Sequence, residues 1–277
     1  MSRVIDSSRF PKLSLCSLLF FPYYYNMSHH RRNPVYSLAD PGEHCSLELR
    51  KKLIHESPFF SSLEHGEVDE VNRLFRDIGF SAHQTILREG EKAEALFIVA
   101  TGLVKLYGVN GDGGTVLIDI LKPGEYFGSV AGFGPDRYEE TAIAAMDCCL
   151  LKISSENFQH VLNMHPQVAV RTVEVLSRKL GFTHELLRRL GSYPAENRSA
   201  WLLLRLSEKL GRPWEGKILI NAPVSREELA AMIGITTETA SRIVSRFHKE
   251  GLIESGRGWI AIKDTEGLKK LTEDEFD

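Results

Sequence analysis

Residues 225–251 read SREELAAMIGITTETASRIVSRFHKEG, and this stretch decides the fold of the C-terminal part of the chain. Ser225 is followed three residues later by Glu228, which is the spacing of a capping box, so a short helix is predicted to start there. Gly234 is expected to end that helix, and Thr236 is expected to cap a second helix. Two short helices joined by a glycine-containing turn predict a helix-turn-helix.

The flanking residues complete a second domain. LIESGRGWIAIK, residues 252–263, alternates around a Ser-Gly-Arg-Gly turn and predicts a β-hairpin wing. Residues 195–210 have the apolar spacing of an amphipathic helix, and the Gly and Pro of GSYP, residues 191–194, separate it from the preceding segment. We therefore expect a winged helix-turn-helix domain over residues 192–277.

Three polar residues share one face of the second predicted helix. Glu238, Ser241 and Arg242 lie at positions i, i+3 and i+4. In a helix-turn-helix, the first turns of the second helix lie in the major groove of DNA. There Arg can donate two hydrogen bonds to guanine, Glu can accept one from cytosine, and Ser can reach either kind of base edge. A Glu–Arg pair on a solvated helix is the alternative, but the position in the motif favours DNA readout.

The charge distribution agrees with this interpretation. The whole chain has a net charge of −3, whereas residues 192–263 contain 11 basic and 8 acidic residues, a net +3. Any nucleic-acid surface must therefore be local. Candidates for phosphate contacts, each of which is also consistent with an ordinary surface charge, are Arg246, Lys249, Arg257 and Lys263. Ser225, Thr236 and Thr237 are expected at the same DNA surface.

Residues 80–153 have the texture of β-structure. Short runs rich in Val, Ile, Leu and Phe alternate with glycine-bearing turns such as NGDGG and KPGEYFG, which predicts a small barrel or jelly roll. A metalloenzyme of this texture needs several inward-facing His and Glu ligands, but His83 is the only histidine between residues 80 and 153. We expect neither a metal site nor an enzyme.

The following segment, residues 166–191, is predicted to be one long helix with an apolar seam. The seam has the alternating spacing of 4 and 3 that is typical of a two-stranded coiled coil, and it comprises Ala169, Val173, Leu176, Leu180, Thr183, Leu187 and Leu190. A buried core helix is the alternative. Because the opposite positions are charged, we favour a homodimer interface centred on Val173, Leu176, Leu180, Thr183 and Leu187.

Residues 1–46 are expected to be a disordered extension, and the start of translation at Met1 or at Met27 stays open. LSLCSLLFF, residues 13–21, is too short to span a bilayer, so no membrane association is expected. The four cysteines fit neither a zinc pattern nor a disulfide scaffold, which suits a reducing cytoplasm. His29, His30, His44 and Cys45 also match no zinc spacing, so we interpret this segment as a solvated tail.

The order of these elements resembles the Crp/Fnr family of bacterial transcription regulators over about residues 47–268. KPGEYFG, residues 122–128, is similar to the family's β-roll signature, and residues 225–253 are similar to its DNA-binding signature. ETASR, residues 238–242, resembles the Fnr branch, which carries E-x-x-S-R, rather than the Crp branch.

The resemblance implies an α+β fold with a cyclic-nucleotide-binding-like β-roll over residues 47–165, a dimerisation helix, and the winged domain. It also implies a cytoplasmic homodimer that binds double-stranded DNA at a palindrome of TTGA-type half-sites. Arg242 would contact the guanine, Glu238 the opposed cytosine, and Ser241 would lie near the thymines. An activator that contacts RNA polymerase is the favoured role. The alternative is a nucleotide- or haem-responsive sensor whose C-terminal domain contacts protein.

The resemblance also locates an effector pocket, whose expected residues are Gly124, Glu125, Gly128, Ser129, Glu140 and Thr141. Cyclic-AMP binders carry a Glu where Ser129 stands and an Arg-Ser pair where Glu140 and Thr141 stand. A carboxylate at the position of the phosphate's cation would repel that anion, which argues against cyclic AMP. The Fnr cysteine cluster is missing, and Cys148 and Cys149 should point to opposite faces of a strand, which argues against an iron–sulfur cluster. The cofactor stays unknown, with haem open although no residue points to it.

Overall fold

The computed structural model describes residues 45–111, 113–129 and 134–273. The predictions for residues 1–44 lie outside the described residues. The N-terminal half contains α1 (Leu47–Glu56), α2 (His65–Asn72), β1 (Arg76–Phe80), β2 (Thr85–Leu87), β3 (Ala95–Thr101), β4 (Val104–Val109), β5 (Thr115–Leu121), β6 (Tyr126–Gly128), β7 (Thr141–Ala144), β8 (Cys148–Ser154) and α3 (Ser155–Met164). The C-terminal half contains α4 (Pro166–Ser192), α5 (Ala195–Leu210), β9 (Gly211–Trp214), β10 (Lys217–Ile220), α6 (Arg226–Met232), α7 (Thr237–Lys249), β11 (Ile253–Gly256), β12 (Trp259–Ile262) and α8 (Thr265–Lys270).

The eight N-terminal strands form the predicted β-roll. They make two antiparallel four-stranded sheets, with the strand orders β1-β8-β3-β6 and β2-β7-β4-β5. Alternate residues of β3 divide between two cores: Phe97 and Val99 pack between the sheets, whereas Leu96 and Ile98 pack against the helices. The period of two in side-chain direction therefore explains why the whole strand is apolar.

The two adjacent cysteines of β8 follow the same rule. Cys148 lies in the core between the sheets and Cys149 in the core under the helices, so the prediction that they face apart is confirmed. Both are buried, because β8 is covered on both sides. Cys45 departs from the prediction of a solvated tail, since it is also buried in the core that contains Cys149.

The long helix α4 leaves the roll and ends before Tyr193 and Pro194, as the sequence predicts. Its side toward the roll buries Val168 and Val175, whereas most of its remaining residues are exposed. Four apolar residues of its seam, Val173, Leu176, Leu180 and Leu187, are more than half exposed.

The C-terminal domain combines α5, the helix pair α6 and α7, and a four-stranded sheet of order β11-β12-β10-β9. The predicted helix over 195–210 and the wing are confirmed as α5 and the hairpin β11–β12. The hairpin β9–β10 lies outside the predicted elements and extends the wing into a sheet. The core of this domain contains Leu203, Leu229, Val244 and Phe247, and it continues into the β-roll through Leu117 and its neighbours.

Candidate nucleic-acid interface

The start of α6 is fixed by the predicted capping box. The backbone N–H of Glu228 donates to Ser225 Oγ at 3.0 Å, and the backbone N–H of Ser225 donates to Glu228 Oε2 at 2.8 Å. These reciprocal bonds satisfy two backbone donors that a helix N-terminus leaves unpaired. The Ser225 hydroxyl oxygen therefore already accepts a hydrogen bond in the cap. Any contact of this hydroxyl with DNA would be made in addition to that bond.

The turn between α6 and α7 sets the angle of the second helix. Gly234 has a φ of +61°, a left-handed conformation that side chains with a Cβ rarely adopt. Arg198 of α5 holds this turn, since its Nη1 donates to the carbonyl oxygen of Ile233 at 2.7 Å. Thr236 then caps α7 as predicted, accepting from the backbone N–H of Thr239 at 3.2 Å.

The second helix, α7, is strongly two-sided. It buries Ala240, Ile243, Val244 and Phe247 against the domain core. The other side carries the predicted trio, of which Glu238 and Arg242 are exposed and Ser241 is half-buried. Within the described ranges, none of these three side chains has a hydrogen-bond or ion-pair partner from the protein itself. Their donors and acceptors are therefore available to a ligand outside the domain.

The remaining predicted contact residues differ in availability. Thr237 is exposed at the first turn of α7, and the Thr236 hydroxyl donates to Thr239 Oγ1 at 2.9 Å. Arg246 is not a free cation, because its guanidinium pairs with Glu196 of α5. Contact between Arg246 and a phosphate would have to compete with that pair.

The predicted effector residues are divided among three clefts. Gly128, Ser129 and Glu140 line a cavity of about 420 Å³ between the roll and α4, whose walls are mainly apolar. Gly124 and Glu125 line a second cleft toward α5, which Glu140 also borders, and Glu125 pairs there with Lys209 at 3.1 Å. Thr141 faces a third cleft beside α6, and its hydroxyl accepts from the backbone N–H of Glu89 at 3.1 Å.

The electrostatics of the main cavity are unfavourable for a phosphate at the expected position. Burial raises the pKa of Glu140, and although Lys179 opposes this effect, Asp119 and Glu139 add to it. Arg137, the guanidinium that lines the cavity, already donates to the carbonyl oxygen of Gly90 at 2.6 Å. The expected Arg–phosphate pair of cyclic-nucleotide sites therefore has no counterpart at Glu140.

The three cysteines in the described part of the chain, Cys45, Cys148 and Cys149, are all buried. A hydrogen bond with Cys149 and burial both raise the pKa of the Cys45 thiol, and burial raises the pKa of Cys148 to about 12. Across residues 45–111, 113–129 and 134–273, no three His, Cys, Asp or Glu side chains converge to hold a metal ion. No helix in these ranges combines the length and hydrophobicity needed to cross a bilayer.

Two β-roll residues, Lys105 and Tyr107, contact the helix-turn-helix, and the sequence predicts neither contact. Lys105 Nζ donates to Glu228 Oε1 at 2.6 Å, and the Tyr107 hydroxyl donates to the same oxygen at 2.7 Å. Burial alone would raise the pKa of Glu228, but these bonds, the Ser225 N–H and the Lys105 charge outweigh it, so that pKa is lowered. Lys105 and Glu228 are separated by 123 residues in the chain, beyond the reach of local patterns.

Known proteins match both halves of the chain. Residues 78–165 match the family model of the cyclic nucleotide-binding domain, and residues 197–271 match that of the Crp-like helix-turn-helix domain. The transcriptional regulator SdrP of Thermus thermophilus is 33% identical over 206 residues, which cover 73% of this chain and 97% of SdrP.

Solved structures agree in fold. FixK2 from Bradyrhizobium japonicum is 25% identical with a TM-score of 0.64, and the match covers 72% of this chain and 98% of FixK2. A CRP/FNR-family transcriptional regulator from Thermus thermophilus is 31% identical with a TM-score of 0.61, covering 72% and 99% of the two chains. With its β-roll, long helix and helix-turn-helix DNA-binding domain, this chain belongs to the Crp/Fnr family of transcription regulators.

Proposed function

We propose that this regulator is a cytoplasmic homodimer that binds a palindrome of TTGA-type half-sites and activates transcription through contact with RNA polymerase. In this proposal residues 47–165 form the sensor domain, residues 166–191 the dimerisation helix, and residues 192–277 the DNA-binding domain. Arg242 reads the guanine, Glu238 the opposed cytosine, and Ser241 lies near the thymines. One observation carries the proposal. On the second helix of the motif, Glu238 and Arg242 are exposed and Ser241 is half-buried, and these three side chains have no partners in the described part of the chain.

The dimer is supported by the apolar seam of α4. Val173, Leu176, Leu180 and Leu187 are 64%, 52%, 56% and 60% exposed, which is unusual for four apolar residues on one stripe. Ala169, Val173 and Leu176 also border the main cavity, and Leu190 approaches Gly234. The five central positions, which include Thr183, are nevertheless exposed and accessible to a second copy of the helix.

A symmetric dimer would also extend the DNA sequence that the protein recognises. One recognition helix reads only a few base pairs, whereas two helices related by a two-fold axis read half-sites one helical turn apart. The absence of a cation at the position of Glu140 further supports a regulator that does not respond to cyclic AMP.

The test is binding of the wild-type protein to a fluorescent TTGA-N6-TCAA duplex, compared with a scrambled duplex of the same composition. We expect preferential binding to the palindrome, with an affinity that falls steeply as salt is raised, because phosphate contacts release counterions. Equal affinity for both duplexes would refute sequence-specific recognition of this palindrome. It would then favour a sensor whose C-terminal domain contacts protein.

A further inference from the structure

The β-roll and the helix-turn-helix domain are joined by a polar cluster of Lys105, which is buried, and Tyr107 and Glu228, which are half-buried. Besides its bond to Glu228, Lys105 Nζ donates to the carbonyl oxygen of Pro223 at 2.6 Å. The side chains of Lys105 and Glu228 are only 10% and 17% exposed. Charge-assisted bonds in such surroundings are strong, and leaving either charge unpaired is costly.

The carboxylate of Glu228 has two roles at once. Its Oε2 completes the capping box by accepting from the Ser225 N–H, while its Oε1 accepts from Lys105 and Tyr107. The β-roll thus contacts the residue that defines the start of α6. Because α6 packs directly against α7, a shift of α6 relative to the roll would move α7 as well.

Further contacts on either side support the cluster. Leu103, Leu117 and Ile120 of the roll belong to the same apolar core as the helix-turn-helix residues. On the α5 side, Lys209 Nζ lies 2.8 Å from Asp119 Oδ1 and 3.1 Å from Glu125 Oε2. The apolar contact buries surface but does not fix the orientation of the two domains. The polar bonds do, because hydrogen bonds form only over a narrow range of distances and angles.

We propose that Lys105 and Tyr107 are positioning residues for DNA binding, which hold α6, and through it the recognition helix α7, in one orientation on the β-roll. The proposal rests on the proposed function, since a palindrome requires both recognition helices of the dimer at a fixed spacing. Without the two residues, the DNA-binding domain samples several orientations. The apparent affinity for DNA then falls in proportion to the fraction of molecules in the orientation that can bind.

The test is the Lys105→Met variant in the full-length protein, with Lys92→Met as the matched control. Both variants remove one lysine charge from the roll, but Lys92 is exposed and pairs with Glu94, away from α6. We expect Lys105→Met to weaken binding to the TTGA-N6-TCAA duplex by about tenfold, the size expected if the competent orientation falls to about a tenth of the population. Tyr107→Phe removes only the hydrogen bond to Glu228 and should have a smaller effect. Lys105→Arg keeps the positive charge and should retain most of the wild-type affinity.

Hydrogen–deuterium exchange without DNA separates positioning from a direct effect on the duplex. Peptides from α6 and from β5, the strand that packs against it, should both exchange faster in Lys105→Met. The exchange rate of neither peptide should change in Lys92→Met. Unchanged affinity in Lys105→Met, or a loss of affinity without faster exchange, would overturn the proposal. If the wild type shows no preference for the palindrome, the proposed function fails, and faster exchange would then show a docking contact that does not serve DNA recognition.

Discussion

The substitution Leu180→Asp tests the seam of α4 at its centre. Leu180 is 56% exposed in the single chain, and in a parallel helix pair it would meet its own symmetry copy. Burying a leucine side chain contributes about 2 kcal/mol, so losing both copies costs the dimer about 4 kcal/mol. The two carboxylates add a further cost, because they must be buried against each other or remain hydrated at an open seam.

A loss of about 4 kcal/mol raises the dissociation constant of the dimer by about a thousandfold. Sedimentation equilibrium at micromolar concentration should therefore show a monomer for Leu180→Asp and a dimer for the wild type. Arg178→Asp is the control, since it places the same carboxylate on the same helix at an exposed position outside the seam. Circular dichroism should show the same helix content in all three proteins. A dimer in Leu180→Asp would refute the seam as the interface.

Three further predictions concern the DNA-binding domain and the effector cavity. Gly234→Ala should lower the free energy of unfolding by about 1 kcal/mol in urea titration, because alanine is strained at a φ of +61°; an unchanged midpoint would contradict this. Because the pKa of Glu228 is lowered on folding, its stabilising bonds are fully present above its ordinary value of 4.5 and are lost as pH falls through the folded pKa. The wild type should therefore lose more thermal stability than Glu228→Gln between pH 5 and pH 3, and parallel losses would count against this contribution. Calorimetric titration with cyclic AMP should show no saturable binding, since Glu140 places a carboxylate at the position where we expect the phosphate; micromolar binding would show that the phosphate is held elsewhere.

The helix-turn-helix was predictable because its signals are local. Ser225 and Glu228, Gly234, and Thr236 each determine a backbone conformation within a few residues of their own position. The seam was predictable for a similar reason, since a helical period shows directly in the sequence. What the sequence left open was whether that seam packs within the chain, and the exposure of its central residues answers this for one chain.

Other features depend on contacts between distant segments. The strands of the hairpin β9–β10 are only four residues long. The hairpin joins the sheet because β10 pairs with β12, about 40 residues later, and local sequence does not predict such a pairing. The burial of Cys45 depends on a strand about a hundred positions away, and that of Lys105 on Glu228. The six expected effector residues are neighbours in two short sequence segments, but the structure distributes them among three clefts.

The central claim is that Arg242 reads a guanine, and a double-mutant cycle between residue and base tests it most directly. Wild type and Arg242→Ala are each measured, at one salt concentration, on the TTGA-N6-TCAA duplex and on a duplex with the G·C pair of both half-sites changed to A·T. The wild type should lose about 1–3 kcal/mol per half-site on the base change, whereas Arg242→Ala should bind both duplexes with nearly equal affinity. If Arg242→Ala still discriminated between the two duplexes as strongly as the wild type, Arg242 would not be the residue that reads this base pair.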